Sequence, residues 1–206
     1  VFLSHPHADH VCGMADLLEV CRPKCVYVPV SWDHYPPADS VRGCIDRIQE
    51  LNIPIKTLSA GDAIQLSENV SMKVLHPTAG IFADSANDDS MVLQMEYGDC
   101  RALFCADVPA ESAPESIGDI DILKTAHHGS RDSMNAELIQ KTSPSVAIVS
   151  ADHASNPKHP DAQTIAYLQG SGAAVYRTDE CGAITCTLNT DGSVQVQTYL
   201  YPEVSE

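Results

Sequence analysis

No apolar run in these 206 residues approaches the roughly 18 needed for a transmembrane helix, so none of the chain is expected to span a membrane. No stretch reads as a signal peptide either. Basic residues are scarce: 12 Lys and Arg stand against 28 Asp and Glu, a net charge of −16. That balance argues against a broad basic face for duplex DNA, because phosphate binding needs clustered Lys and Arg. It leaves room for a local basic rim. The eight cysteines contain no C-x-x-C pair. Cys21 and Cys25 imitate half of a zinc ribbon and have no second half. Cys105 and Cys186 lie in apolar runs and read as small core residues. The chain is large for a disulfide-stapled fold, so reduced thiols are expected. Internal repeats and low-complexity linkers are also missing. What is left is one domain over residues 1–206, long enough to bury a core.

The chain alternates short strands and amphipathic helices. Val1 to Ser4 reads as a strand already under way, which suggests a fragment of something longer or a processed product. A helix follows His10, with Val11, Met14, Leu18 and Cys21 near one face. Lys24 to Val30 is a strand. Ser40 is the expected cap of a helix with Val41, Cys44, Ile45, Ile48 and Leu51 inward. Short strands follow at Ile55–Leu58, Ala63–Leu66 and Ser71–Leu75. Met91–Tyr97 and Arg101–Cys105 form a hairpin about Gly98-Asp99. Ile120–Thr125 and Ser145–Ser150 are strands, with a helix after Ser133 between them. Pro160 is expected to open a helix to Gln169, stopped by Gly170 and Gly172. Strands at Ala174–Arg177, Ala183–Leu188 and Val194–Tyr201 complete a layered α/β arrangement, sheets inside and helices outside.

The chemistry concentrates in His5-Pro6-His7-Ala8-Asp9-His10. Four imidazole and carboxylate groups lie where a strand hands over to a helix, so several side chains can converge on one point. Such donors suit zinc, manganese and iron. Two later strand ends carry matching groups: Asp107 after Leu103-Phe104-Cys105-Ala106, and His127-His128 after Leu123-Lys124-Thr125. Taken together they make a two-metal inventory, with a carboxylate such as Asp107 able to bridge cations about 3.5–4 Å apart.

The pattern H-x-H-x-D-H, then an Asp ending a strand, then a His after a later strand, resembles the metallo-β-lactamase fold superfamily. LSHPHADH, VLHP, NDDSMVLQMEYGDCRALFCAD, DILKTAHHGS, VAIVSA with the later KHP, and VYRTDECGAI are similar to the metallo-hydrolase domain of the ComEC family of competence proteins. These stretches span nearly the whole chain. The resemblance implies a metallo-β-lactamase-like αββα sandwich, truncated at the N-terminus. It implies two divalent metal ions, zinc or manganese. His5 and His7 would hold one, Asp9 and His10 the other, and Asp107 would bridge. His128 is the expected further ligand and His127 the group facing substrate, with the reverse assignment open. Asp9 and Asp107 would orient the attacking water. His159 would contact phosphate or protonate a leaving group, Ser130 and Lys158 would help bind substrate, and Arg131 and Arg177 would add positive charge.

Three departures accompany the resemblance. The usual ligand His before the strand leading to the bridging Asp is replaced by Asn87-Asp88-Asp89-Ser90, and His76 is either a substitute or a strand-end His paired with backbone. Ala106 stands where a Gly is usual. The strands that the family carries upstream of the His cluster are not present, so an exposed apolar sheet edge is expected. The implied activity is metal-dependent phosphodiester hydrolysis, on single-stranded DNA during uptake or on a small phosphodiester. A non-catalytic metal-binding module of a membrane DNA-uptake channel is the alternative. A bacterial setting follows, either cytoplasmic or on the outer face of the membrane.

Overall fold

The computed structural model describes residues 1–200. In chain order its elements are α1 (Ala8–Val11), α2 (Met14–Val20), β1 (Val26–Pro29), α3 (Asp39–Glu50), β2 (Ile55–Leu58), β3 (Ala63–Ser67), β4 (Val70–His76), β5 (Val92–Tyr97) and β6 (Cys100–Phe104). There follow β7 (Ile122–Lys124), α4 (Ala136–Thr142), β8 (Val146–Val149), α5 (Ala162–Gly170), β9 (Ala174–Arg177), α6 (Thr178–Cys181), β10 (Ile184–Leu188) and β11 (Val194–Thr198).

Seven strands form one sheet in the order β3-β4-β5-β6-β7-β8-β9. Pairing is antiparallel from β3 to β6 and parallel from β6 to β9. The parallel half determines where chemistry can collect. Strands β6, β7 and β8 run side by side, so the residues that follow them emerge at one edge. Asp107, His127-His128 and Ser150 all lie there.

One face of this sheet carries Leu103, Cys105, Leu123, Ala147 and Val149, packed against Leu138, Ile139 and Leu168 of α4 and α5. The other face is covered in two parts. The parallel pair β1-β2, extended by a bridge from Phe2 to Tyr27, packs on Met72, Val74 and Leu93. The antiparallel hairpin β10-β11 packs on Ala102, Ile122 and Val146. Outside β1-β2 lie α1, α2 and α3, contributing Val11, Met14, Val41, Cys44 and Ile48. The layers therefore run helix, strand, strand, helix, as the resemblance implies. The exposed large apolar residue of the seven-stranded sheet's middle is Phe104, 38% exposed, which lies on the central strand β6 and is not a sheet edge.

Several boundaries differ from the sequence reading, each for a local reason. The single helix after His10 is two short ones, broken at Cys12-Gly13. Ser40 does not cap α3, whose N-cap is Ala38, two residues earlier, with no side-chain cap bond. Pro160 does not open α5. Asp161 is the cap, its carboxylate accepting from the Gln163 N–H at 2.9 Å. The short helix α6 carries no apolar period that could have announced it. The expected end of the last strand at Tyr201 lies outside the described residues.

Helix α4 shows what one cap contributes. Asn135 Oδ1 accepts from the Leu138 N–H at 2.8 Å. Asn135→Ala is expected to lower stability by about 1 kcal/mol, read as a shift of the denaturant midpoint. An unchanged midpoint would mean that the bond contributes nothing net.

Candidate metal centre

The strand-to-helix turn after Leu3 gathers the first donors. His5 is fully buried. Its Nε2 lies 3.1 Å from Nδ1 of His7 and 3.8 Å from Oδ2 of Asp107. His127 Nε2 approaches the same Asp107 oxygen, also at 3.8 Å. Asp107 Oδ1 faces the other way, 3.3 Å from Nε2 of His10. His10 Nε2 is in turn 3.5 Å from Asp9 Oδ2, and His128 Nε2 is 3.1 Å from that same oxygen. One ligand atom from each of Asp9, His10, Asp107 and His128 falls within a 4.8 Å cluster. Asp107 thus stands between two groups of imidazoles, one carboxylate oxygen toward each.

The surrounding bonds orient these rings. Ser4 Oγ lies 3.1 Å from His5 Nδ1 and 3.2 Å from His10 Nδ1. A hydroxyl oxygen has two lone pairs, so both Nδ1–H groups can donate to it. Each Nε2 is then left as a lone pair aimed at Asp107. His128 Nδ1 donates to the Ser150 carbonyl at 2.8 Å, which leaves its Nε2 lone pair against Asp9. Asp107 is held from behind: its N–H donates to Ser90 Oγ at 3.1 Å. Ala106, His127 and His128 all have φ near +50°, at 47°, 44° and 54°. Left-handed backbone costs a non-glycine residue about 1–2 kcal/mol, and here it occurs in the two segments that follow β6 and β7 and carry Asp107 and the histidine pair.

Lone pairs facing carboxylate oxygens repel unless a proton or a cation lies between them. The donor set, imidazole with carboxylate, is one that zinc, manganese and iron accept. His10 Nε2 is buried, with no well-aligned hydrogen-bond partner. Asp9, His10, Asp107 and His128 therefore fit a divalent cation, and His5 and His127 approach the other oxygen of Asp107, with His7 beside His5.

Electrostatics agree. Burial, reinforced by the charge of His10, pushes the His5 imidazole down to about 3, so it is neutral. Burial alone would raise the Asp107 carboxyl, but His10, His5 and His127 outweigh it and hold the group well below the usual carboxylate range. An unfolded His5 titrates at 6.5 and the folded one near 3, so between those values the unfolded state binds more protons. Chelator-treated protein is therefore expected to lose stability steadily as pH falls below about 6.5. Thermal melts across that range check this, and a flat profile would show that His5 is not held neutral.

The other expected site residues are spread around this centre. The His159 ring lies 5.3 Å from that of His127 and 6.4 Å from that of His128. Burial and its two histidine neighbours lower its basicity, and its Nδ1 is buried without a partner. Lys158 is exposed on the same loop. Ser130 is buried, its hydroxyl accepting from the Asp132 N–H, so it supports the loop rather than the opening. His76 does not join the centre, because its Nε2 donates to the Asp88 carbonyl at 2.7 Å. The positive charge of Arg131 and Arg177 is spent locally. Arg131 pairs with Asp161, and Arg177 with Asp179 and Glu180. Ser4 and Ser90 were not anticipated as orienting groups. Their adjacency to His5 in LSH and to Asp89 in DDS was the only signal.

Comparison with known proteins places this geometry. A family model described as the metallo-beta-lactamase superfamily matches residues 1–153. ComE operon protein 3 of Bacillus subtilis (strain 168) is 30% identical over 189 residues, which cover 89% of this chain and 24% of that protein. Recombination protein 2 of Haemophilus influenzae is 26% identical over 120 residues, covering 57% of this chain and 15% of that protein. This chain thus spans about a quarter or less of the length of these curated relatives. Among solved structures, CmlA, a diiron β-hydroxylase from Streptomyces venezuelae, aligns with a TM-score of 0.58 at 15% identity, over 96% of this chain and 44% of that one. Zn²⁺-bound PqqB from Methylobacterium extorquens aligns with a TM-score of 0.51 at 14% identity, over 86% of this chain and 70% of that one. At such identities the two structures speak to fold alone. The family match covers more than half of the chain, including the H-x-H-x-D-H turn, Asp107 and both of the later histidines, and so the chain belongs to the metallo-β-lactamase superfamily.

Proposed function

We propose that this domain is a metal-dependent hydrolase of phosphodiester bonds. The observation that carries the reading is Asp107, whose two carboxylate oxygens face two separate imidazole groups. That is the arrangement needed to hold two cations side by side. When bound, such a pair supplies Lewis acidity toward a phosphoryl oxygen and makes a water acidic near neutral pH. The chain's own residues do the rest. Asp9 is the exposed carboxylate at the mouth, placed to take the proton of the attacking water. His127, partly exposed beside Asp107 with His128 taken as the metal-holding histidine of the pair, is placed to donate to a phosphoryl or leaving-group oxygen. His159, made less basic by burial and by its two histidine neighbours, is placed to orient that phosphoryl group.

The substrate is a phosphodiester presented singly or at a strand end. The paired state of Arg131 and Arg177 leaves Lys158 as the exposed cation of the His159 loop, and a net charge of −16 does not favour a long polyanion. Likeness to ComE operon protein 3 supports single-stranded DNA met during uptake as the biological source, with the domain carried by a membrane channel protein. No helix among the described residues is long and apolar enough to cross a membrane. Protein loaded in turn with zinc, manganese and iron is assayed on bis-p-nitrophenyl phosphate and on a labelled single-stranded oligonucleotide. Turnover of both supports the reading. Two metals per chain with no turnover of either substrate sinks it in favour of a non-catalytic metal module.

A further inference from the structure

The stretch Val175-Tyr176-Arg177-Thr178-Asp179-Glu180 reaches the metal centre without entering it. Strand β9 lies parallel to β8, with Arg177 level with Val149, so Ser150-Ala151 and Thr178 leave the same edge of the sheet side by side. Asp107 and the histidine pair follow β6 and β7 at that edge. The Thr178 hydroxyl accepts from the Ala151 N–H at 2.9 Å and donates to the Ala151 carbonyl, also at 2.9 Å. A hydroxyl that gives and receives at once has its direction fixed.

The other end of the same peptide unit holds a ring of the metal centre. Ala151 N–H and Ser150 C=O belong to one planar amide, so neither group turns without the other. The Ser150 carbonyl accepts from His128 Nδ1 at 2.8 Å. That bond keeps the His128 proton on Nδ1 and leaves the Nε2 lone pair 3.1 Å from Asp9 Oδ2. The group that receives the far proton of a metal-binding imidazole sets the ring's orientation and its basicity as a ligand. Here that group is a backbone carbonyl at the root of a loop, which rotates out of reach unless its amide is gripped. Thr178 is the side chain that grips it.

Thr178 is itself held in place. Arg177 Nε and Nη2 donate to the two oxygens of Asp179 at 3.1 and 2.6 Å, and Nη1 pairs with Glu180 at 2.6 Å. The guanidinium thus braces the single turn of α6 that begins at Thr178. Asp179 in turn accepts from the His153 N–H, farther along the loop that carries Lys158 and His159. Consecutive residues therefore fasten that loop to the end of β9: Thr178 at Ala151 and Asp179 at His153, with Arg177 bracing Asp179.

We propose that Thr178 is a positioning residue for the metal centre: by fixing the peptide between Ser150 and Ala151 it holds His128 with Nε2 toward the cation, and so tightens metal binding. The inference rests on the reading of His128 as the metal-holding histidine of the pair. A threonine serving only its own turn would contribute to stability and leave the His128 ring untouched. Thr178 differs because the amide that it grips is the one whose carbonyl takes the His128 proton.

Thr178→Val keeps the shape of the side chain and loses the hydroxyl. It is expected to weaken zinc binding by about tenfold, read by competition with a chromophoric chelator. Thr178→Ser restores the hydroxyl and should return to within about twofold of the unaltered chain. The metal-free protein gives a second readout. Nitrogen NMR of the neutral His128 ring should find the proton on Nδ1 in the unaltered chain and in Thr178→Ser, and a mixture of tautomers in Thr178→Val. A double-mutant cycle gives a third. In a His128→Ala background, Thr178→Val should change zinc binding by less than about twofold, because the path through the ring is gone. An equal loss with and without His128 overturns the proposal, as does a Thr178→Val chain that binds zinc like the unaltered one. If His128→Ala leaves zinc binding unchanged, the reading of His128 as a ligand fails and the proposal with it. Should Thr178→Val fail to fold, Thr178→Ala takes its place in each measurement, and failure of both makes Thr178 a structural residue and rejects the proposal. None of these readouts depends on phosphodiester turnover, so the proposal stands or falls apart from the proposed reaction.

Discussion

Asp107→Ala is expected to take bound metal from about two per chain to below one, and hydrolysis of bis-p-nitrophenyl phosphate down by at least about a thousandfold. The size of the effect follows from geometry. Asp107 Oδ2 lies 3.8 Å from both His5 and His127, and Oδ1 lies 3.3 Å from His10. Removing one side chain therefore removes a donor from both imidazole groups at once. A change at His7 or Asp9 would touch one group and leave the other. Asp107→Asn separates charge from shape, because it keeps the side-chain volume while losing the anion. It should lose metal nearly as completely. Metal content by mass spectrometry beside the turnover assay decides the matter. Two metals retained in Asp107→Ala would show that the carboxylate bridges nothing, whatever happens to activity.

The parts of this centre that are legible in the sequence are those whose meaning is local. His5, His7, Asp9 and His10 lie within one turn of chain, so their convergence follows from the strand-to-helix corner. Asp107 and His127-His128 could be placed because each follows a short apolar strand, and parallel neighbours end at a common edge. The orienting bonds are not local in this sense. Ser90 reaches the Asp107 N–H across 17 residues, and the Ser150 carbonyl receives His128 across 22. Nothing near Ser150 distinguishes it from a turn residue, and Ser90 has only the adjacent Asp89 as a signal. His76 shows the converse, a histidine at a strand end whose ring is taken up by the Asp88 carbonyl. The fold divides along similar lines. Strands with clean alternation were readable to within a residue or two, whereas the break at Cys12-Gly13 and the helix α6 have no periodic signature. Lys124 is the clearest case of information that exists only in register. In sequence it is one cation near the end of a strand, and only the pairing of β6, β7 and β8 sets it between Phe104 and Ile148.

Gly129→Ala is expected to be the most destabilising single methyl group added near the site, by about 3 kcal/mol. Gly129 follows the two histidines with φ at +79°, a conformation that strains any L side chain. Space makes the position worse. A Cβ there would stand 2.8 Å from Pro160 Cβ and 3.1 Å from Val149 Cγ1. Val149 is fully buried in β8, and Pro160 precedes the capped start of α5, so neither can retreat cheaply. The Gly129 carbonyl also accepts from the Asp161 N–H at 3.0 Å, which ties this turn to the cap of α5. Relief of the clash must move the β7 turn away from the loop that carries His159. That displaces His127 and His128 from Asp107 and Asp9. Thermal unfolding should therefore show a fall of roughly 6–12 °C, by scaling from the values for domains of this size. The fraction that remains folded should bind less metal than the unaltered chain. A melting temperature within about 2 °C of the parent would mean that the turn relaxes freely. The positive φ values at His127 and His128 would then reflect a soft loop rather than one locked by Gly129 against Pro160.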